Sequence, residues 1–263
     1  MILTSEGKPG MTRYVVAGLS LFLLVANAQA TSTQITIRVL SKDAKFIGSS
    51  MDGARVVLHD AETGKLLAEG ITTGKTGDTD KIMIEPRVRG QALSTKGSAS
   101  FTAVLELDRP TRVKVTVEGP INNPDSANQA TSTQWVVPGK HLTGGDGWRI
   151  EIRGFSVTAT ATLRDISGGE SPLLDVSADI TMMCGCPIEP DGLWDANGYE
   201  VAAIVTDNDG KSITIPMPYA GKTSLFAGQS RLTGSGPFEA VVYAYDASNG
   251  NTGVDIVKFN GPE

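Results

Sequence analysis

Leu174-Asp175-Val176-Ser177-Ala178-Asp179-Ile180-Thr181-Met182-Met183-Cys184-Gly185-Cys186 alternates apolar and polar side chains up to Met182 and then stops. A period of two is the signature of a strand with one buried face. Val176, Ala178, Ile180 and Met182 share that face, and a strand continuing in register would add Cys184 and Cys186. Outward from this stretch the same period recurs in short runs rich in Val, Ile and Thr. Gly, Asp, Asn and Pro turns separate them about every 8 to 12 residues, the spacing of a sandwich or barrel. No helix is expected from Thr31 onward, so the fold class is all-β.

In the first half the predicted strands are Gln34–Leu40, Ala54–His59, Lys65–Glu69, Asp80–Glu85, Ala99–Leu107, Thr111–Glu118, Thr133–Val137 and Trp148–Arg153. In the second they are Ser156–Arg164, Leu174–Met183, Tyr199–Thr206, Lys211–Pro216, Thr223–Ala227, Phe238–Asp246 and Gly253–Phe259. The turn Asp60-Ala61-Glu62-Thr63-Gly64-Lys65 is a hairpin signal, because Gly64 can take positive φ. Between Gly119 and Thr133 lies a polar loop with little periodicity, framed by strands and therefore not read as a boundary. The boundary is placed near Gly154–Ser156, where one alternating run closes and another opens. This predicts two tandem antiparallel β-sandwich domains, residues 31–154 and 155–263, following a signal peptide within residues 1–30, where Met1–Gly10 read as an upstream start-site extension and Met11 begins the better-formed signal peptide.

The stretch Gly53–Gly70, followed by Thr72–Gly77, resembles the prealbumin-like, carboxypeptidase regulatory-type β-sandwich in its strand, Thr-Gly hairpin, strand and closing turn. That resemblance implies a non-catalytic sandwich module and carries over no functional residue. The sequence departs from it after Asp80, where Lys81–Thr95 forms a polar excursion. The seven short strands of the second half, with turns at Asp207-Asn208-Asp209-Gly210 and Asn249-Gly250, resemble an immunoglobulin-type sandwich without the Cys, Trp, Cys spacing of antibody-like domains.

The N-terminus carries the marks of export. Met11-Thr12-Arg13 precedes an apolar run from Tyr14 to Ala26 and the small-x-small ending Asn27-Ala28-Gln29-Ala30, which predicts a secretory signal peptide cleaved after Ala30. The apolar run is shorter than the ~20 residues of a spanning helix, so no membrane insertion is expected after cleavage. The whole chain has a formal charge of −6; removing residues 1–30 shifts it to about −7. An acidic chain without a Lys/Arg cluster argues against nucleic acid as a partner. The expected location is the periplasm or the extracellular space.

The two cysteines of the chain, Cys184 and Cys186, are its one constellation with recognisable chemistry. Export makes a disulfide the default. A regular strand resists it, since i and i+2 Cα atoms stand roughly 6.5 Å apart at ~3.3 Å rise per residue, whereas bridged Cβ atoms sit about 3.8 Å apart. The backbone would have to bend at Gly185. Alternatively, two thiolates with thioethers from Met182 or Met183 form a soft donor set suited to Cu(I). Zinc fits less well, with no His nearby in sequence, although His59 and His141 could approach in space. A third reading makes the cysteines small buried core residues and Met182 a gap filler.

Beyond the pair, Pro187–Tyr199 is a long loop offering Glu189, Asp191 and Trp194 as ligand-binding candidates; the plain alternative folds Trp194 back over the sandwich edge. Tyr243 and Tyr245 share one strand face and read as core, with an exposed stacking surface as the alternative. Asp207-Asn-Asp-Gly lacks the later Glu of a calcium loop and reads as a hairpin turn. Gly144-Gly145-Asp146-Gly147 is not a phosphate loop, and no nucleophile elbow or zinc-protease motif occurs. The expectation is an exported, non-enzymatic binding or accessory protein, in its sharper form a copper-binding or copper-delivery protein that meets a protein partner or a metal donor or acceptor in the cell envelope. The alternative is an adhesion or structural module binding protein or carbohydrate through its loops. A thiol-disulfide enzyme is disfavoured, because Cys-x-Cys on a sandwich lacks the helix N-terminus that lowers a thiol pKa.

Overall fold

A computed structural model describes residues 2–4, 7, 29–164 and 171–261. The predicted signal peptide falls almost wholly outside the described residues. The chain is all-β, with fourteen strands in four sheets among the described residues. Alternation accounts for most of them: along Thr111–Gly119 every odd position is buried and every even one faces out or stands half-buried.

The first half holds β1 (Thr31–Ser41), β2 (Arg55–Asp60), β3 (Leu66–Ile71), β4 (Phe101–Leu107), β5 (Thr111–Gly119), β6 (Asn128–Val136) and β7 (Trp148–Ile152). They form sheets ordered β4-β1-β7 and β3-β2-β5-β6. Between them lies one core, with Ile35, Ile37 and Val39 of β1 among Val56, Leu58, Val113, Val115, Leu105 and Ile150. The second half holds β8 (Phe155–Arg164), β9 (Leu173–Met182), β10 (Tyr199–Thr206), β11 (Ser212–Pro216), β12 (Leu225–Arg231), β13 (Phe238–Asp246) and β14 (Asn251–Phe259). Its sheets run β12-β9-β8 and β11-β10-β13-β14 and enclose a second core around Leu174, Val176, Ile180, Phe226, Ala203 and Val242.

Three expectations are corrected. Asp80–Glu85 is not a strand: Asp80–Ile84 makes one helical turn, with the Asp78 carboxylate accepting the Lys81 N–H at 3.0 Å. Ile82 drops into a small cluster with Leu40, Phe46, Leu93 and Ala99 while Ile84 stays exposed, so local capping prevails over strand propensity. The sheets are also not wholly antiparallel. β7 returns from the opposite sheet to run parallel to β1, pairing Ile37 with Trp148 through Ser41 with Ile152. Finally, Tyr243 and Tyr245 alternate with buried Val242 and Ala244 and so lie half-buried on the outward face, where the Tyr243 hydroxyl donates to Glu200 Oε1 at 2.6 Å.

Candidate functional site

β9 delivers the sulfur cluster to the junction of the two cores. Val176, Ala178, Ile180 and Met182 face the second core, as their alternation requires, and the strand ends at Met182. There the chain turns back on itself: the Gly185 N–H donates to Met182 O at 2.7 Å and the Met182 N–H to Cys186 O at 3.1 Å. Gly185 takes φ +74°, a left-handed conformation that glycine adopts without penalty. The bend draws the Cα atoms of Cys184 and Cys186 to 5.4 Å, and the two are disulfide-bonded. A Cβ at Gly185 would stand 2.6 Å from Met51 Sδ, so the turn packs directly against the first half.

The two methionines part company. Neighbouring residues at a strand end point to opposite sides, and Met182 sits in the second core with Cys184 and Cys186 while Met183 enters the first core. Met182, Met183, Cys184 and Cys186 are all buried, none more than 4% exposed. His59 lies on the outward side of β2, and His141 Nδ1 accepts the Gln34 N–H at 3.0 Å. Among the described residues no group of three or more His, Cys, Asp and Glu could hold a metal ion.

The loop after the cysteines is tied down. Trp194 is buried, and its Nε1–H donates to Asp43 O of the first half at 2.9 Å. Glu189 and Asp195 bridge across the loop, and Thr223 Oγ1 donates to Glu189 Oε1. Asp191 is exposed, with φ +58° and its N–H on Asp195 Oδ1. The Asp195 carboxyl is held below its ordinary pKa, chiefly by the backbone N–H of Asn197. Of the three loop candidates, Glu189 and Asp191 face solvent and Trp194 seals the junction.

Polar side chains that sequence reasoning passed over complete this seam. Asn251 is buried; its Oδ1 accepts the Gly154 N–H at 2.7 Å and its Nδ2–H donates to Gly154 O at 3.0 Å. Asn123 Nδ2 donates to Ser156 Oγ and Val157 O, both at 2.9 Å, and Asn128 Nδ2 to Arg153 O at 2.8 Å. Ser126 Oγ accepts the Val157 N–H and donates to Val254 O. Gly154 is obligatory, since at φ +137° a Cβ would meet Met183 Cε at 2.6 Å and Asn128 Nδ2 at 2.7 Å. The available signal was the polar stretch after Gly119, whose Asn123 and Ser126 serve the second half; its last residues are not loop, since β6 already begins at Asn128 and pairs with β5. No family model matches the chain, and no curated protein or solved structure matches it.

Proposed function

We propose that this chain is an exported, non-enzymatic binding protein of the adhesion or structural kind, built as two tandem immunoglobulin-like sandwich units, in which Cys184 and Cys186 clasp the joint. Its ligand is a protein or carbohydrate taken by surface loops, and its place is the periplasm or the extracellular space. One observation supports this above the others: the disulfide turn is buried between the cores with Met182 and Met183 on opposite sides of it. Delivering Cu(I) would require reducing the bridge and drawing the thioether of Met182 or Met183 out of a packed interior, and such a withdrawal forfeits about 2–5 kcal/mol. A rigid joint serves a protein that presents surfaces at fixed separation.

The discriminating experiment is an anaerobic Cu(I) competition titration of the reduced protein beside its Cys184→Ser/Cys186→Ser variant. Weak binding, equal in both, is expected. Tight one-to-one binding that disappears in the variant would replace the clasp with a copper site and make Cu(I) the cargo. An insulin-reduction assay run on the same samples should show no turnover, and turnover would make the pair a thiol-disulfide centre.

A further inference from the structure

The polar excursion between β3 and β4 walls a cleft of about 290 Å³, lined by Lys81, Arg87 and Arg149 against the single carboxylate of Glu85. In a chain of net charge −6 this is a local excess of positive charge. The helical turn at Asp80–Ile84 is what sets Lys81 and Glu85 on the same wall. Val88, Leu93 and Pro86 add apolar surface beside the cations.

The acid paired with Arg149 is already engaged. Asp146 Oδ2 accepts from Arg149 Nη1 at 2.8 Å and from the Leu93 N–H at 3.1 Å, while Oδ1 accepts the Ser94 N–H at 2.8 Å. Its side chain is 9% exposed, and it locks the Leu93–Ser94 wall to the guanidinium on β7. Arg149 is therefore held in place before any ligand arrives. Behind it, Arg38 is the register partner of Arg149 across the β1–β7 pair and donates to Ser98 O and Ala99 O. Lys81 Nζ donates to Ser94 O and Arg87 Nη2 to Ile82 O, both at 3.2 Å. These contacts occupy one of the three donors of a lysine and one of the five of an arginine, which leaves donors for an anion.

We propose that this cleft binds a small ligand bearing an oxyanion, carboxylate or phosphate, on a short apolar body. Pre-positioned guanidinium and ammonium groups form charge-assisted hydrogen bonds with such an oxyanion, and arginine can engage it in bidentate fashion. Fixing Arg149 and the Leu93–Ser94 wall through Asp146 reduces the ordering cost of binding. The inference is independent of the role given to the Cys pair.

Calorimetric titration of the full chain at constant ionic strength tests it, with inorganic phosphate and citrate as probes and chloride as the control. At least one probe should bind saturably at one site, and Lys81→Gln and Arg87→Gln should each weaken it about tenfold or more, the worth of one charge-assisted hydrogen bond. Lys258→Gln, on the exposed end of β14, should leave the affinity unchanged. Saturation by phosphate alone identifies a phosphate-bearing ligand; saturation by citrate alone identifies a carboxylate. If neither probe exceeds chloride, or if both cleft variants bind like the parent while keeping its circular dichroism, the cleft is not an anion site.

Discussion

Burial pushes the Tyr199 phenol up to about 12, and the carboxylates of Asp246, Asp43 and Asp195 add to the shift. The ring lies at the start of β10, edge-on to Phe155 at 5.1 Å, where the loop after the cysteines closes. The consequence for stability follows from proton linkage. Below pH 10 both states carry the proton and the residue is neutral to folding. Between pH 10 and about 12 the unfolded chain loses the proton first, so stability is lost as pH rises through that window. Stability measured by denaturant should therefore fall more steeply from pH 10 to 12 in the parent than in Tyr199→Phe, and the two should share the same slope below pH 10. Equal slopes throughout would mean that the folded protein does not hold this phenol neutral. Nothing in the sequence marked Tyr199, because its environment is assembled from Asp43, Asp195 and Asp246, which lie far apart along the chain.

Strands and hairpins were legible because their causes are local. The turn at Asp60 closes as its residues require: Asp60 Oδ1 accepts the N–H groups of Glu62 and Thr63 at 2.8 and 2.9 Å, and Gly64 sits at φ +73°. A Cβ at Gly64 would meet nothing within 4 Å, so Gly64→Ala isolates the backbone penalty. It should cost about 1–2 kcal/mol in a urea or guanidinium melt without altering the sheet. A cost near zero would show that the hairpin relaxes to another turn. Elements whose partners are distant were not legible. Ile82, Met83 and Ile84 look like half a strand, yet Asp78 caps the turn and Ile82 alone finds a core. The alternation of β7 was plain, while its parallel partner was hidden, since pairing direction leaves no trace in one strand's pattern. The same holds for the cysteines: the bend at Gly185 was foreseeable, whereas the burial of the turn against Met51 depends on the first half.

At the scale of the whole molecule, the described residues form two cores joined by a seam that is itself packed and hydrogen-bonded. Met183 crosses from β9 into the first core, and Trp194 donates back to Asp43 of the first half. Asn251, Asn123 and Ser126 add hydrogen bonds between the halves, each worth about 1 kcal/mol net. Two units unfold together when the coupling between them exceeds the difference in their separate stabilities. This seam sums to several kcal/mol, comparable with the whole margin of a typical domain. The parent should therefore lose amide protection in β5 and in β13 at the same denaturant concentration, read by hydrogen exchange with mass spectrometry. Met183→Ala should cost about 2–5 kcal/mol by emptying a fully buried site, and Asn251→Ala about 1–3 kcal/mol by stranding the Gly154 N–H and C=O. Because both side chains act at Gly154, the two losses should not add. The double variant should separate the transitions of β5 and β13, leaving each half folded over a range where the other is open. Separate transitions already present in the parent would mean that the seam holds the halves in position without coupling their stability, and a disulfide turn buried within it would then fix orientation alone.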